Sequence, residues 1–208
     1  MSETYKTEQE AFWSGDFGDA YVERNTGDAL IAGRTHLLSN VLRKAGPVRS
    51  VVEFGPNLGL NMVALKRLLP GASRTAIEIN ARAVEVLRQD PDITVHHGSI
   101  LDPFVKTAQD LVFTCGVLIH ISPDALPVVY DRMYAASNRL IAVIEYYNPS
   151  PVEIPYRGHQ DRLFKRDFAG DLLDRFPDLR LVDYGFQYHR DPNFPVDDLT
   201  WFLLEKSA

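Results

Sequence analysis

The chain of 208 residues has one cysteine, Cys115. That excludes an internal disulfide and leaves no cysteine cluster for zinc, so no metal site is expected. Positive charge is also scarce: 22 Lys and Arg stand against 28 Asp and Glu, for a net charge of -6. Counterion release from a nucleic-acid backbone needs a cationic face, so nucleic acid is not the expected partner. No apolar run approaches the length of a membrane span, and Met1-Ser2-Glu3-Thr4-Tyr5-Lys6 lacks the apolar core of a signal peptide. A cytoplasmic protein without membrane contact is expected. Repeats, low-complexity segments and Gly/Ser linkers are absent as well, and 45% hydrophobic residues suffice for one core, so residues 1–208 read as a single domain.

What is present begins with Val51-Val52-Glu53-Phe54-Gly55-Pro56-Asn57-Leu58-Gly59. The β-branched and aromatic run over 50–54 suits a buried strand ending in an acid, and Gly55 permits a sharp turn that a side chain would forbid. Gly59 lets the following helix, Leu60 to Leu69, approach the sheet or a ligand closely, with its first amides free for a carboxylate or phosphate. Arg74 to Ile79 reads as a second strand with Glu78 near its carboxyl end, where a carboxylate can accept both hydroxyls of a ribose. Capping of the helix that begins near Ala81 is the other reading of Glu78. A third strand over 93–96 runs into the polar turn Gly98-Ser99-Ile100-Leu101-Asp102, which suits a purine edge.

Further strands are expected over 110–114, 139–146, 180–188 and 199–205, with helices separating the first five. Strand and helix in alternation imply a parallel sheet covered on both faces. The last two strands, joined through Pro192 and Pro195, are expected as an antiparallel hairpin at one edge. Ahead of the sheet, a helical stretch to about Asn25 and an amphipathic helix from Asp28 to Lys44 make residues 1–46 a helical region laid over the cleft.

The ordered acid, glycine turn, second acid and polar turn resemble the S-adenosylmethionine-binding half of the class I, Rossmann-like methyltransferases. The resemblance implies an α/β fold with a seven-stranded, mostly parallel sheet, helices on both faces and an antiparallel edge hairpin. It implies S-adenosylmethionine as cofactor, held by Glu53, Gly55, Asn57, Gly59, Glu78, Ser99, Ile100 and Cys115. Six further segments, 12–21, 116–121, 145–151, 156–159, 164–170 and 183–191, are similar to small methylases associated with pseudaminic acid biosynthesis, and the likeness covers nearly the whole chain. Two positions depart from the pattern. The family motif reads acid-x-Gly-x-Gly-x-Gly, and Asn57 holds the middle glycine position, which implies a side chain where the methionine part of the cofactor lies. Cys115 stands where the family usually has lysine, which implies the loss of a cation beside the reaction centre and a changed substrate or reaction.

Chemistry is expected above the carboxyl ends of the parallel strands. His120, after the fourth strand, is a general base or a satisfied structural histidine, since its intrinsic pKa lets it take a proton near neutral pH. Glu145 and Tyr147, after the fifth strand, are the other catalytic candidates. The segment 148–167 interleaves Arg157, His159, Arg162, Lys165 and Arg166 with Tyr156 and Phe164. That pattern suits either a lid holding an anionic small molecule in guanidinium forks or a solvated loop with surface ion pairs. Trp13, Tyr21 and Arg24, with Phe17, form a second candidate wall, and His189 either closes the hairpin or reaches the substrate.

Two activities fit these residues. In the first, a methyl group passes to an oxygen or nitrogen of a small anionic metabolite, an acidic amino sugar or an amino-acid-derived intermediate of natural-product biosynthesis. In the second, the fold is kept without methylation, and the cleft closes an aziridine ring by expelling sulfate, with Arg157, Lys165 or Arg166 beside the leaving anion. A non-catalytic partner subunit is a third class, and a partner protein or a homo-oligomer is compatible with the sequence.

Overall fold

The computed structural model describes residues 5–22, 27–103 and 107–207. Its strands are β1 (Ser50–Phe54), β2 (Ser73–Glu78), β3 (Ile93–His97), β4 (Gln109–Cys115), β5 (Ser137–Glu145), β6 (Val152–Glu153), β7 (Phe164–Lys165), β8 (Leu179–Gln187) and β9 (Leu199–Lys206). Seven of them form one sheet in the order β3-β2-β1-β4-β5-β9-β8. The first five are mutually parallel, and β9 runs antiparallel between β5 and β8. This is the mostly parallel, seven-stranded sheet with an edge hairpin that the strand pattern implies. The short β6–β7 pair stands apart and has no counterpart in the sequence reading.

The helices are α1 (Glu8–Ser14), α2 (Asp16–Val22), α3 (Asp28–Leu42), α4 (Leu60–Leu68), α5 (Ala81–Leu87), α6 (Leu126–Ala136) and α7 (Phe168–Arg175). Alternate residues along β1 feed opposite layers. Val52 and Phe54 pack with Val129 and Met133 of α6 and Leu172 of α7, whereas Val51 packs with Leu37 and Leu38 of α3 and Met62 and Leu65 of α4. Burial of each such side chain stabilises the fold by about 1.5–3 kcal/mol relative to exposure, which is why strands of this composition become central ones. Among the described residues, no helix is long and apolar enough to cross a membrane.

Two expectations change. The N-terminal helical stretch is not continuous: α1 ends at Gly15, and α2 starts at Asp16. The helix expected between the third and fourth strands is missing among the described residues, where 98–103 and 107–108 hold turns and bends. Pro103 disfavours helical angles at Asp102, so the pattern is interrupted as it starts.

The β1 register pairs Phe54 with Ile77 on one side and with Thr114 on the other. The turns after β1, β2 and β4 therefore reach one rim together, and α1, α2 and α3 lie over it.

Candidate functional site

Strand order reverses at β1, which has β2 on one side and β4 on the other. Ligands of open α/β sheets bind at such a point, beyond the carboxyl ends of the strands. A cavity of about 570 Å³ lies there, lined by the β1, β2, β3 and β4 turns and by α1, α2 and α3. That volume falls in the range of small-molecule sites, about 300–1,000 Å³.

Its floor carries Glu53. The buried carboxyl accepts from Nδ2 of Asn61 at 2.6 Å through Oε1, while its Oε2 and Oδ1 of Asn61 have no partner. Burial pushes Glu53 up to about 8, against the pull of Asn61 and Arg34, so it is largely protonated at neutral pH. Gly55 turns the chain with φ +69°, and a Cβ there would lie 2.8 Å from Val117 Cγ2. Gly59 caps α4 with φ +75°, and a Cβ would lie 2.6 Å from Leu87 Cδ2. Gly59 thus serves helix packing and is not among the residues lining the cavity.

Asn57 also takes a left-handed φ, +50°. Asparagine tolerates that region better than other side chains, which accounts for Asn57 at a glycine position. Its Oδ1 accepts from the Leu58 amide at 2.8 Å, so the side-chain carbonyl is folded back onto its own turn.

Glu78 holds this turn from the next strand. Oε2 accepts from the Asn57 amide and Oε1 from the Asn80 amide, each at 2.8 Å. Burial raises its pKa, and these amides lower it. Helix α5 is capped instead by Asn80, whose Oδ1 accepts from the Ala83 amide at 3.0 Å. Each Glu78 oxygen keeps acceptor capacity for a ligand hydroxyl.

At the far end, Ile100 and Leu101 give an apolar shelf, and Ser99 accepts from the Leu101 amide at 2.9 Å. The Ser99 hydroxyl donates to Glu10 of α1. Glu10 lies in a capping box with Thr7, so the residue that orders the start of α1 also forms a wall of the cavity. Further ties hold the cover: Asn80 Nδ2 donates to Asp19 Oδ1 at 2.8 Å and to the Trp13 carbonyl at 3.2 Å, and Gln9 donates to the Asp161 carbonyl at 3.1 Å.

His120 closes a 3-10 turn, Leu118–His120, after β4. Its Nδ1 lies 2.6 Å from the Arg162 carbonyl, so Nδ1 carries the proton and Nε2 the lone pair. Burial pushes the imidazole down to about 4, partly offset by that carbonyl. The ring packs at 4.6 Å from Trp13 and 4.9 Å from Tyr156. Trp13 lines the cavity with its buried Nε1 unpartnered, and Tyr21 stands 5.3 Å from it. Glu145 is buried beneath the turn. Its Oε1 accepts from the Val117 and Leu118 amides at 3.1 Å each, and burial pushes it up to about 7. It positions the turn and does not itself line the cavity.

Cys115 faces the cavity as a neutral thiol, pushed up to about 11 by burial although Arg34 draws it down. Arg34 of α3 approaches its Sγ to 2.9 Å through Nη1. The cation expected to be lost with the family lysine is therefore supplied from a different element. His189 also lines the cavity, with Nδ1 2.8 Å from Asp198.

The remaining candidates are not brought into the lining. Tyr156 packs at a tilt against Trp13 and His120, with Arg157 over its ring at 5.7 Å. His159 packs edge-on to Phe12 and Phe17, Lys165 sits over Tyr146, and Arg166 pairs with Asp171 at 2.8 Å. Tyr147 is exposed near Phe202. Arg24 lies outside the described residues. Conversely, Arg34, Asn61, Glu10 and Asn80 enter the site without having been singled out in the sequence. For Asn61 the signal was its place in the first turn of α4, eight residues after Glu53. Arg34 had none.

No protein-family model matches the chain, and no curated protein matches its sequence. Solved structures match its fold. The 1,6-didemethyltoxoflavin-N1-methyltransferase of Burkholderia thailandensis, solved with 1,6-didemethyltoxoflavin and S-adenosylhomocysteine, gives a TM-score of 0.73 at 14% identity over 100% of this chain and 94% of that one. The magnesium protoporphyrin IX methyltransferase of Synechocystis PCC 6803, with S-adenosylhomocysteine, gives 0.69 at 13% identity over 98% and 100%. The plantazolicin methyltransferase BpumL, also with S-adenosylhomocysteine, gives 0.66 at 12% identity over 96% and 94%. These likenesses establish the class I methyltransferase fold. The narrower resemblance to methylases associated with pseudaminic acid rests on the sequence motifs alone.

Proposed function

We propose that this protein binds S-adenosylmethionine in the cavity above β1 and β4 and methylates a small molecule seated against Trp13, Tyr21 and His120. The observation that carries this reading is the pair of buried, unpartnered oxygens on the cavity floor, Asn61 Oδ1 and Glu53 Oε2, the second an acceptor once Glu53 ionises. A buried acceptor without a partner costs about 1–3 kcal/mol, and an ammonium group of a ligand removes that cost. The fit extends along the cavity: Glu78 offers acceptor capacity to ribose hydroxyls, and Ser99, Ile100 and Glu10 offer a shelf with a polar edge to a purine. The same fold in the solved methyltransferases holds S-adenosylhomocysteine.

When bound, the cofactor supplies an electrophilic methyl group. The chain's own contribution is alignment, exclusion of water by α1 and α2, and handling of one proton. His120 takes that proton on Nε2. With its pKa near 4 it suits an oxygen acceptor, which becomes strongly acidic on gaining a methyl group, better than an alkylamine. The substrate is read as a small anionic metabolite, an acidic amino sugar or an amino-acid-derived intermediate. The cations assigned to ring closure with loss of sulfate, Arg157, Lys165 and Arg166, stand outside the cavity lining, which favours transfer over that form of the cyclisation reading.

Calorimetry with S-adenosylmethionine and S-adenosylhomocysteine tests the reading, and binding of neither overturns it. Product mass separates the reactions: a gain of one methylene unit supports transfer, and loss of a sulfate equivalent without cofactor supports cyclisation.

A further inference from the structure

We propose that the β8 edge of the sheet is an interface between two copies of this chain, which pair their β8 strands antiparallel about a two-fold axis at Phe186. The proposal is independent of what the cavity binds.

β8 ends the strand order, and among the described residues no strand pairs with its outer side. An edge of this kind presents unpaired N–H and C=O groups and is a template for another strand. The two faces of β8 differ. On one, the molecule serves itself: Asp183 pairs with Arg43 and Lys44, the bare α-carbon of Gly185 lies against the Trp201 ring, and Gln187 donates to the Phe194 carbonyl. On the other, Tyr184, Phe186 and Tyr188 stand 63%, 59% and 46% exposed. Helix α7 covers this face at Leu179, which packs with Phe168 and Leu172, and the aromatic row lies beyond it. Phe202 of β9 stacks on Tyr184, and Tyr147 packs against Phe202, so the aromatic surface continues across the hairpin.

Sheet edges that stay single are guarded by lysine, proline or an inward charge. Residues 184–188 hold none of these, whereas β3, the opposite edge, exposes Thr94, His96 and His97.

A second copy satisfies the open edge and the aromatic face in one contact, as a two-fold interface presents the same patch from both sides. In an antiparallel pair about Phe186, that residue meets its own counterpart and Tyr184 meets Tyr188 of the partner subunit. Aromatic side chains then lie opposite aromatic ones along one face, a cross-strand pairing that stabilises antiparallel ladders. β8 is thus its own complement. A fully covered aromatic side chain buries about 150–250 Å², so the exposed parts of Tyr184, Phe186 and Tyr188 supply about 300 Å² per copy. With the paired backbone and flanking side chains of both copies, the total reaches the lower limit for a specific interface, about 1,000 Å². A dimer of micromolar strength follows.

The test is sedimentation velocity of the whole chain from about 1 μM to about 300 μM, a span that brackets such a dissociation constant. The 23.5 kDa chain is expected to give way to a species of twice that mass as concentration rises. Phe186→Lys and Tyr184→Lys bring a charge into the paired face and should each weaken dimerisation by about tenfold or more, with melting temperatures at low concentration unchanged. Val128→Lys, at an exposed apolar position of α6, should leave it intact. Hydrogen exchange of the wild type needs no substitution: amides of 184–188 should exchange more slowly at the high concentration than at the low one. A wild type that stays monomeric, a dimer left intact by both lysines, or exchange over 184–188 that ignores concentration overturns the proposal. Protection there only on addition of a different protein overturns it as well.

Discussion

The Asn57 amide donates to Oε2 of Glu78 at 2.8 Å, which makes the left-handed turn after β1 and the acid ending β2 a single structural unit. The carboxylate fixes the turn with one oxygen and the approach to α5 with the other. Replacement of Glu78 by Ala removes both acceptors as well as the contact proposed for the cofactor ribose. S-adenosylhomocysteine binding should weaken by about 1–3 kcal/mol; an unchanged dissociation constant would contradict the role of Glu78.

Asn57 should tolerate glycine and resist alanine. Asn57→Gly keeps the left-handed φ at no steric cost, whereas Asn57→Ala places an ordinary side chain there at a cost of about 1–2 kcal/mol. At about 2–4 °C per kcal/mol for a chain of this size, thermal melts resolve the difference. Equal melting temperatures for the two variants would show that the turn relaxes.

Glu53 should couple ligand binding to proton release. Its carboxyl is raised to about 8 by burial, and an ammonium beside Oε2 favours the ionised form. Binding therefore expels a proton below pH 8, and affinity for S-adenosylhomocysteine should rise with pH from 6 to 8 by up to about tenfold per unit. Titrations in buffers of different ionisation enthalpy count the proton. A Glu53→Gln variant should show neither effect, and a flat pH profile in the wild type would exclude the coupling.

His120 should impose an acid limb on stability. Its folded pKa of about 4 lies below the ordinary 6.5, so the neutral ring is favoured in the fold. The stability it contributes is complete above pH 6.5 and is lost as pH falls toward 4. Buried Glu53 and Glu145 act in the other direction, because their pKa values are raised from 4.5 to about 8 and about 7 and their burial becomes costly as pH climbs through that interval. His120→Gln should flatten the acid limb of a melting-temperature profile and leave the alkaline limb in place. Persistence of the full acid limb in that variant would assign it to another group.

Trp13 should report occupancy. The chain has two tryptophans; Trp13 lines the cavity, and Trp201 is buried in β9. S-adenosylhomocysteine should change the tryptophan emission of the wild type and of Trp201→Phe, and should not change that of Trp13→Phe. A ligand-dependent signal surviving in Trp13→Phe would place the molecule elsewhere.

The sheet was legible in the sequence because strands such as β1 are short β-branched and aromatic runs ended by a turn residue such as Gly55. The strand-end residues Glu53, Glu78, Ser99, Ile100, Cys115 and His120 line one cavity for the same reason: parallel strands in register deliver their ends together. What lay hidden came from elements whose address depends on tertiary packing. Arg34 is one polar residue on an amphipathic helix, and nothing local distinguishes it from a solvated arginine. The loop over 148–167 read as a cationic lid because its charges were visible, whereas their partners, Asp171 for Arg166 and Glu8 for Arg162, sit on other segments. Glu145 was legible as a strand-end acid, but its burial under the 3-10 turn was not.

The cover formed by α1 and α2 is fastened by polar links at separated points: Asp19 to Asn80, Glu10 to Ser99 and Gln9 to the Asp161 carbonyl. Exposed pairs of the Lys6–Asp102 kind add about 0–1 kcal/mol each and are screened by electrolyte. The molecule thus combines two regimes of cohesion: the sheet is held by apolar packing, whereas the cover adds polar ties to the aromatic contacts of Trp13 and Phe17 with His120, Tyr156 and His159. Raising ionic strength should quicken the exchange of whatever lies beneath the cover while the sheet keeps its melting point.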